Sequence, residues 1–183
     1  MAGYNNNPES EYDLDTGLFI HNVTVKGDSK PNYSSKSNDY SPNVNLFVFN
    51  PKNNTYRHLL DKNYGELVSY VIETAFNSDE NQVNEKGVVG GSFVYLSGNN
   101  KLQNNMHVTK RGINPNIILE TYNEKTKDYT VWKANKLAGP ASVVFTYHIP
   151  SEWHLDVLNQ QIRLITPGIE NGQTRLRIKS YDW

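Results

Sequence analysis

The sequence predicts an all-β fold, an antiparallel β-sandwich or barrel of about 11–12 short strands. The composition is the first observation behind this prediction. The 183 residues include 25 Asn but only 5 Ala, and Asn favours turns whereas Ala is the strongest helix former. The second observation is spacing. Segments rich in β-branched and aromatic residues are separated by turn signals every ~8–12 residues, as in all-β domains. An arrangement of propeller-like repeats is the alternative.

Alternation of apolar and polar residues assigns the individual strands. The first strand places Phe19, His21 and Val23 on one face. Segment 44–50 is apolar on both faces and should be a central strand. Segment 66–76 fits a helical stripe as well as a strand face, and its Val, Tyr, Ile and Thr content favours a strand. The predicted strands occupy residues 18–26, 44–50, 55–60, 66–76, 88–97, 106–110, 116–122, 129–136, 141–148, 152–158, 161–166 and 173–181.

Two polar turns are each flanked by a pair of aromatic residues, Phe49 with Tyr56 and Tyr122 with Tyr129. Cross-strand aromatic pairs fix the register of a hairpin. We therefore predict a hairpin at each turn, although the likeness of the two is also what a repeat unit would produce.

One domain is expected over residues 17–183, preceded by a polar N-terminal arm at residues 1–16. Residues 27–43 are rich in Ser, Asn and Pro and indicate a long loop. The first residues lack the basic start and apolar core of a signal peptide, so export would require a signal that had been removed. No apolar run approaches the ~18–20 residues of a membrane span.

Charge and cysteine content exclude several classes of protein. The formal net charge is −1, which argues against a dedicated nucleic-acid binder because such proteins carry a basic stripe. The chain has no cysteine, so disulfides, thiolate metal sites and cysteine nucleophiles are excluded. It also lacks a glycine-rich phosphate loop, and no cofactor is expected.

The tripeptide Asp15-Thr16-Gly17 is similar to the catalytic Asp-Thr-Gly of aspartic proteases. Those enzymes need two carboxylates that share one proton, and this chain holds no second copy of the motif. The same segment also opens like a calcium loop, but Thr24 stands where the closing glutamate would be. We interpret it as a turn. A hydrolase, protease-like or metal-dependent, remains the alternative from the enzyme class.

The richest cluster of functional side chains lies at residues 147–156. Strand alternation should turn Trp153 and Leu155 to one face and His154 and Asp156 to the other. The polar face resembles a set of nitrogen and oxygen metal ligands, but we interpret it as a hydrated or partner-binding face and predict no metal. Aromatic residues near it could form a binding surface, although large aromatics are more often core. The candidate ligand-binding residues are Trp132, Tyr147, His148, Trp153, His154 and Asp156.

The sequence as a whole favours a non-enzymatic binding or structural module of a cell surface or of a macromolecular assembly, such as an exported bacterial protein or a virion accessory protein. A protein partner or a homo-oligomer is expected, because polar arms and loops order by lying on neighbours. A carbohydrate-binding module is the alternative within the binding class. The predicted core residues are Phe47, Phe49, Val143, Phe145, Trp153, Leu155, Leu164 and Leu176.

Overall fold

The computed structural model describes residues 10–13, 15–25, 42–75, 92–97, 106–109 and 113–183. Within these ranges the chain forms thirteen β-strands and no helix, which confirms the predicted all-β class. The strands are β1 (Ser10–Asp13), β2 (Leu18–Thr24), β3 (Asn43–Asn50), β4 (Thr55–His58), β5 (Glu66–Ala75), β6 (Ser92–Ser97), β7 (Met106–Thr109), β8 (Asn116–Asn123), β9 (Asp128–Asn135), β10 (Ser142–Tyr147), β11 (Glu152–Asp156), β12 (Gln161–Glu170) and β13 (Gln173–Asp182).

The strands form three antiparallel sheets. A four-stranded sheet has the order β1-β2-β3-β4, and a six-stranded sheet has the order β10-β9-β8-β5-β6-β7. A three-stranded sheet has the order β11-β12-β13. Nearly all neighbours are consecutive in sequence, as expected where short turns connect antiparallel strands.

Two hydrophobic cores show how the sheets stack. In β8, Ile117 and Leu119 belong to the core shared with the four-stranded sheet, whereas Ile118 belongs to the core shared with the three-stranded sheet. The same alternation sends Trp132 of β9 into the first core and Val131 into the second. Because successive side chains of a strand point to opposite faces, the six-stranded sheet is the middle layer of a three-layer β-sandwich.

Most of the predicted strands are confirmed. Segment 66–76, which also fitted a helix, forms β5. The two predicted hairpins are present, with Phe49 opposite Tyr56 and Tyr122 opposite Tyr129. Residues 88–91 of the predicted fifth strand and most of the predicted loop at 27–43 lie outside the described residues.

The N-terminal region differs in part from the prediction. β1 lies within the predicted polar arm of residues 1–16 and pairs with β2, while residues 1–9 lie outside the described part of the chain. The described sheets stack face to face in layers, and this arrangement does not support the propeller alternative.

In the four-stranded sheet, the face that is buried is the opposite of the predicted one. Leu18 and Ile20 are buried in β2, and Leu46 and Val48 are buried in β3. The predicted core residues Phe47 and Phe49 lie on the opposite face and are only half-buried, as are Phe19 and His21. Both faces of β3 are apolar, so alternation alone could not show which face the six-stranded sheet covers.

Two predicted core residues, Val143 and Leu176, are exposed and the prediction is wrong for them. A β-bulge between Val143 and Phe145 breaks the alternation in β10, so of these two residues Phe145 alone is buried in the second core. Leu176 lies in the part of β13 that extends beyond β11. The predicted core residues Trp153, Leu155 and Leu164 are half-buried and pack against the second core.

Candidate functional site

The six predicted site residues do not form one site. Trp132 lies in the first core, where its Nε1 donates to Thr121 Oγ1 at 2.9 Å and its ring packs 4.4 Å from that of Tyr64. The remaining five lie on the other side of the six-stranded sheet or on the surface. The predicted surface of Trp132, Tyr147 and Trp153 is therefore divided between the two cores, on opposite sides of the six-stranded sheet.

Tyr147 and Trp153 meet at Glu120, a buried carboxylate in the middle of β8. Trp153 Nε1 donates to Glu120 Oε1 at 2.7 Å, and the Tyr147 hydroxyl donates to the same oxygen. Ser69 Oγ donates to Oε2 at 2.8 Å. Three neutral donors from β5, β10 and β11 thus compensate the charge of Glu120 without a cation.

Burial is the main reason that the pKa of the Tyr147 phenol is raised far above its ordinary value, and the hydrogen bond to Glu120 raises it further. The phenol therefore stays protonated and keeps donating at any ordinary pH. A satisfied carboxylate 5% exposed to solvent offers no access to a substrate, so we interpret this cluster as structural. The sequence signal for it was a single Glu directly after the apolar run Ile117–Leu119 of β8.

The polar residues of the predicted site form two separate surface pairs. His148 Nδ1 lies 2.9 Å from Asp128 Oδ1, and His154 Nε2 lies 3.4 Å from Glu152 Oε1. Trp153 faces the second core while His154 is exposed, as alternation predicted. Within the described ranges, no three or more His, Asp or Glu side chains converge in a way that could hold a metal ion.

Asp156 stabilises the turn between β11 and β12. Its Oδ1 accepts from the main-chain N–H of Asn159 at 3.1 Å, and its Oδ2 accepts from the Asn159 amide at 2.9 Å and from Arg163 at 2.6 Å. The hydrogen bonds from Asn159 first, and then the one from Arg163, lower the pKa of Asp156 to about 2. Because its carboxylate accepts hydrogen bonds from Asn159 of the same turn, Asp156 has a local structural role.

The motif Asp15-Thr16-Gly17 forms the turn between β1 and β2, as interpreted from the sequence. The N–H of Gly17 donates to the main-chain oxygen of Asp13 at 2.7 Å. Gly17 has a φ of +74°, a conformation that glycine adopts at no steric cost. Asp15 itself is exposed.

An aromatic face that the sequence analysis did not identify covers the outer side of the four-stranded sheet. Cross-strand pairing aligns Tyr12 with Phe19, Phe19 with Phe49, and Phe49 with Tyr56 in one row. A second row runs through His21, Phe47 and His58. The aromatic face is the set Tyr12, Phe19, His21, Phe47, Phe49, Tyr56 and His58.

The rings of the aromatic face pack mainly against one another. His21 and Phe47 stack at 4.7 Å with planes 9° apart, but Tyr12 and Phe19 are tilted by 53° and Phe19 and Phe49 by 42°. Sugar rings and bases stack on exposed, roughly coplanar ring faces. Because these rings are tilted, the aromatic face is uneven and apolar. Such a surface is better suited to packing against the side chains of a partner protein than to stacking against flat sugar rings.

The second exposed surface is the hairpin of β12 and β13. β11 pairs only with residues 161–165 of β12, whereas β13 pairs with residues 161–170. Residues 166–177 therefore extend as a two-stranded ribbon, which we call the ribbon. Nearly all of β13 is exposed, and an isolated two-stranded ribbon is marginally stable in water.

The two faces of this hairpin differ in chemistry. Ile178 lies opposite Ile165, and Leu176 lies opposite Pro167, on the apolar face. The other face of β13 carries Arg175, Arg177 and Lys179. Among the described residues neither arginine has an ion-pair partner, and Lys179 lies over the ring of Tyr181.

Comparisons with protein-family models, with curated proteins and with solved structures found no match to this chain. In the described part of the chain, no helix has the length and hydropathy needed to cross a membrane. Of the two candidate functional surfaces, the aromatic face and β13, the strand β13 is the more exposed to solvent.

Proposed function

We propose that this protein is a non-enzymatic binding module of a macromolecular assembly, and that it attaches by accepting a β-strand of a partner protein along the edge of β13. The observation that carries the proposal is the ten-residue strand β13, which pairs on one side with β12 and is exposed on both faces. Within the described residues no strand pairs with its other edge.

An open edge strand carries main-chain donors and acceptors that can pair with another chain. Proteins usually protect such edges by keeping them short or by covering them, yet β13 is among the longest strands of the molecule. Leu176 and Ile178 add exposed apolar area beside the edge. Strand addition takes its affinity from main-chain hydrogen bonds and its specificity from contacts with alternate side chains. β13 offers the main-chain groups of the edge that no described strand pairs with, and it has apolar and basic side chains on its two faces.

Charge indicates the chemistry of the partner strand. An antiparallel pairing of β13 with a second copy of itself would bring Arg175, Arg177 and Lys179 of both copies face to face, and like charges opposite each other destabilise a sheet. A strand that alternates apolar and acidic residues would instead match Leu176 and Ile178 on one face and the basic residues on the other. We therefore favour a different, acidic protein over a homo-oligomer.

A peptide as long as β13, alternating valine and glutamate, is a suitable probe for this edge. Its binding should be measured by fluorescence anisotropy against a peptide alternating valine and lysine. We expect the acidic peptide alone to bind, more weakly as salt is raised. Leu176→Ser should weaken binding, while Leu137→Ser should not, because the two leucines are 65% and 66% exposed and only Leu176 lies on β13.

The contribution of charge to peptide binding is tested by a separate pair of variants. Arg175→Glu should weaken binding of the acidic peptide, whereas Lys125→Glu, an exposed cation in the turn between β8 and β9, should have no effect. Equal binding of both peptides, or an equal loss in Leu176→Ser and Leu137→Ser, would contradict the proposal.

A further inference from the structure

Asp13 and Lys136 form an ion pair that is completely enclosed by the protein. Asp13 Oδ2 lies 2.9 Å from Lys136 Nζ, and both side chains are 0% exposed. Asp13 ends β1 in the four-stranded sheet, and Lys136 follows β9 of the six-stranded sheet. Removing two charges from water carries a large penalty that their attraction offsets only when every remaining donor and acceptor is satisfied.

That condition is not met at Asp13. Its Oδ2 accepts hydrogen bonds from Thr16 Oγ1 at 2.6 Å and from Lys136. Its Oδ1 is buried and has no hydrogen-bond partner among the residues that the structure describes. The carboxylate therefore has one oxygen held by two donors and one oxygen that is bare, an expensive arrangement for an ion in a dry interior.

Lys136 is held in place from both ends. Its main-chain N–H donates to the oxygen of Pro115 at 2.8 Å, and its Nζ donates to the main-chain oxygen of Glu73. Glu73 is itself fully buried, and its Oε2 accepts from the N–H of Asn114 at 2.7 Å. The amine nitrogen is thus fixed against the carboxyl group of Asp13.

We propose that Lys136 and Asp13 become joined by an amide bond between Nζ and Cγ. A proton first passes from the ammonium group to Oδ2, the oxygen that lies 2.9 Å from Nζ, which leaves a neutral amine and a neutral carboxylic acid. The amine lone pair then attacks Cγ, and the developing negative charge falls on Oδ1. A second amine proton moves to the Oδ2 hydroxyl, to which the Thr16 hydroxyl donates, and Oδ2 departs as water, so one ammonium and one carboxylate give one amide and one water.

The surroundings favour this condensation in three ways. Fixed proximity replaces an encounter in solution and can be equivalent to an effective concentration of ~10⁵–10⁸ M. A lysine removed from water is a stronger nucleophile. The product removes both buried charges from the interior. No oxidant, metal or cofactor enters the balance.

The bond would tie the four-residue edge strand β1 to the middle layer of the sandwich. Among the described strands, β1 pairs in the sheet with β2 only, and besides Asp13 it contacts the middle layer through the hydrogen bond from the Tyr70 hydroxyl to Glu11 at 3.1 Å. Short edge strands with few contacts open readily. The cross-link would act at the place where two layers of the sandwich could begin to separate.

The intact mass of the purified full chain under denaturing conditions tests this proposal directly. We expect a mass lower than the sequence mass by one molecule of water. After proteolysis we expect a branched peptide that joins the segment around Asp13 to the segment around Lys136. A folded wild-type protein with the full sequence mass would overturn the proposal, and no variant is needed for that result.

Lys136→Arg provides the matched control, because a guanidinium keeps the positive charge and does not form this amide. The variant should retain its full sequence mass whether or not it folds as well as the wild type. A loss of water that persists in Lys136→Arg would come from another site and would also overturn the assignment.

Discussion

Glu120 and Asp13 are both carboxylates inside the sandwich, and they are compensated in different ways. Glu120 accepts hydrogen bonds from Ser69, Tyr147 and Trp153, all of them neutral. Asp13 has a cation, Lys136, and one hydroxyl donor, but its Oδ1 accepts no hydrogen bond from the described part of the chain. Three neutral donors thus satisfy both carboxylate oxygens of Glu120, whereas Asp13 has an opposite charge beside it and still has one oxygen without a hydrogen bond from the described residues.

The comparison shows that a buried carboxylate is stabilised by how its oxygens are satisfied and not simply by an opposite charge nearby. A hydrogen bond to a charged group contributes about 1.5–3 kcal/mol, so the donors around Glu120 can replace a cation. The pair at Asp13 depends on a single lysine, because removal of one partner leaves an uncompensated charge in the core.

The largest effect is expected from Lys136→Met, which leaves Asp13 buried without a cation and cannot form the proposed amide. We expect a loss of at least ~3–5 kcal/mol in the free energy of unfolding, the range for breaking a buried pair on one side. Urea denaturation measures it. Asp13→Leu combined with Lys136→Met should recover the part of the loss that comes from the uncompensated charge, because two apolar side chains bury no charge, but not the part that comes from the cross-link. A loss under ~1 kcal/mol in the single variant would mean that water reaches Asp13.

Tyr147→Phe should have an intermediate effect, because it removes one of two donors to Glu120 Oε1. We expect a loss of ~1–3 kcal/mol from an under-satisfied buried group, measured by the same denaturation. Tyr56→Phe is the control, since Tyr56 is exposed and surface changes usually stay within ~0.5 kcal/mol. Equal losses in the two variants would remove the distinction between them.

Asp156 extends the comparison to a carboxylate near the surface. Its pKa is lowered from 3.8 to about 2, so the folded protein binds this proton less tightly than the unfolded chain does. The ionised group therefore stabilises the fold above pH about 4, and this stabilisation is lost as the pH falls toward about 2. The difference in Tm between wild type and Asp156→Asn should shrink over that interval. A difference that stays constant would show that the turn does not depend on the charge.

The smallest effect is expected from His154→Ala. His154 is exposed and forms an ion pair with the exposed Glu152 at 3.4 Å, and exposed pairs contribute little. The free energy of unfolding should change by less than ~0.5 kcal/mol. Zinc should not raise the Tm of the wild type, and a rise that disappears in His154→Ala would reveal a metal site that the geometry does not indicate.

The fold was predictable where the sequence signal is local. β5 and the hairpins around Phe49 and Tyr122 follow from side-chain type and from turn residues next to each other in the chain. The faces of β2 and β3 were not predictable, because both faces are apolar and only the stacking of the sheets decides which one is covered. The β-bulge beside Phe145 likewise leaves no signature in an apolar run.

The candidate sites were less predictable than the fold because they depend on contacts between distant residues. Tyr147 and Trp153 are candidate ligand-binding residues in the sequence, with Trp153 also a predicted core residue, and their common partner Glu120 lies on another strand. Lys136 looks like any solvated lysine in the sequence, and nothing near it indicates Asp13. The basic and apolar alternation of β13 was visible, but its exposure follows from the shortness of β11.

The position of β8 and β9 in the middle layer has a consequence for the order of folding. The two strands are consecutive and joined by a short turn, so their pairing closes a small loop at little entropic cost. Their side chains nevertheless enter both cores, Ile118 and Val131 on one side and Leu119 and Trp132 on the other. Once this hairpin has formed, both outer sheets can pack their apolar side chains against it. This gives an early nucleus to a topology whose other contacts are largely long in sequence, and which would otherwise fold slowly.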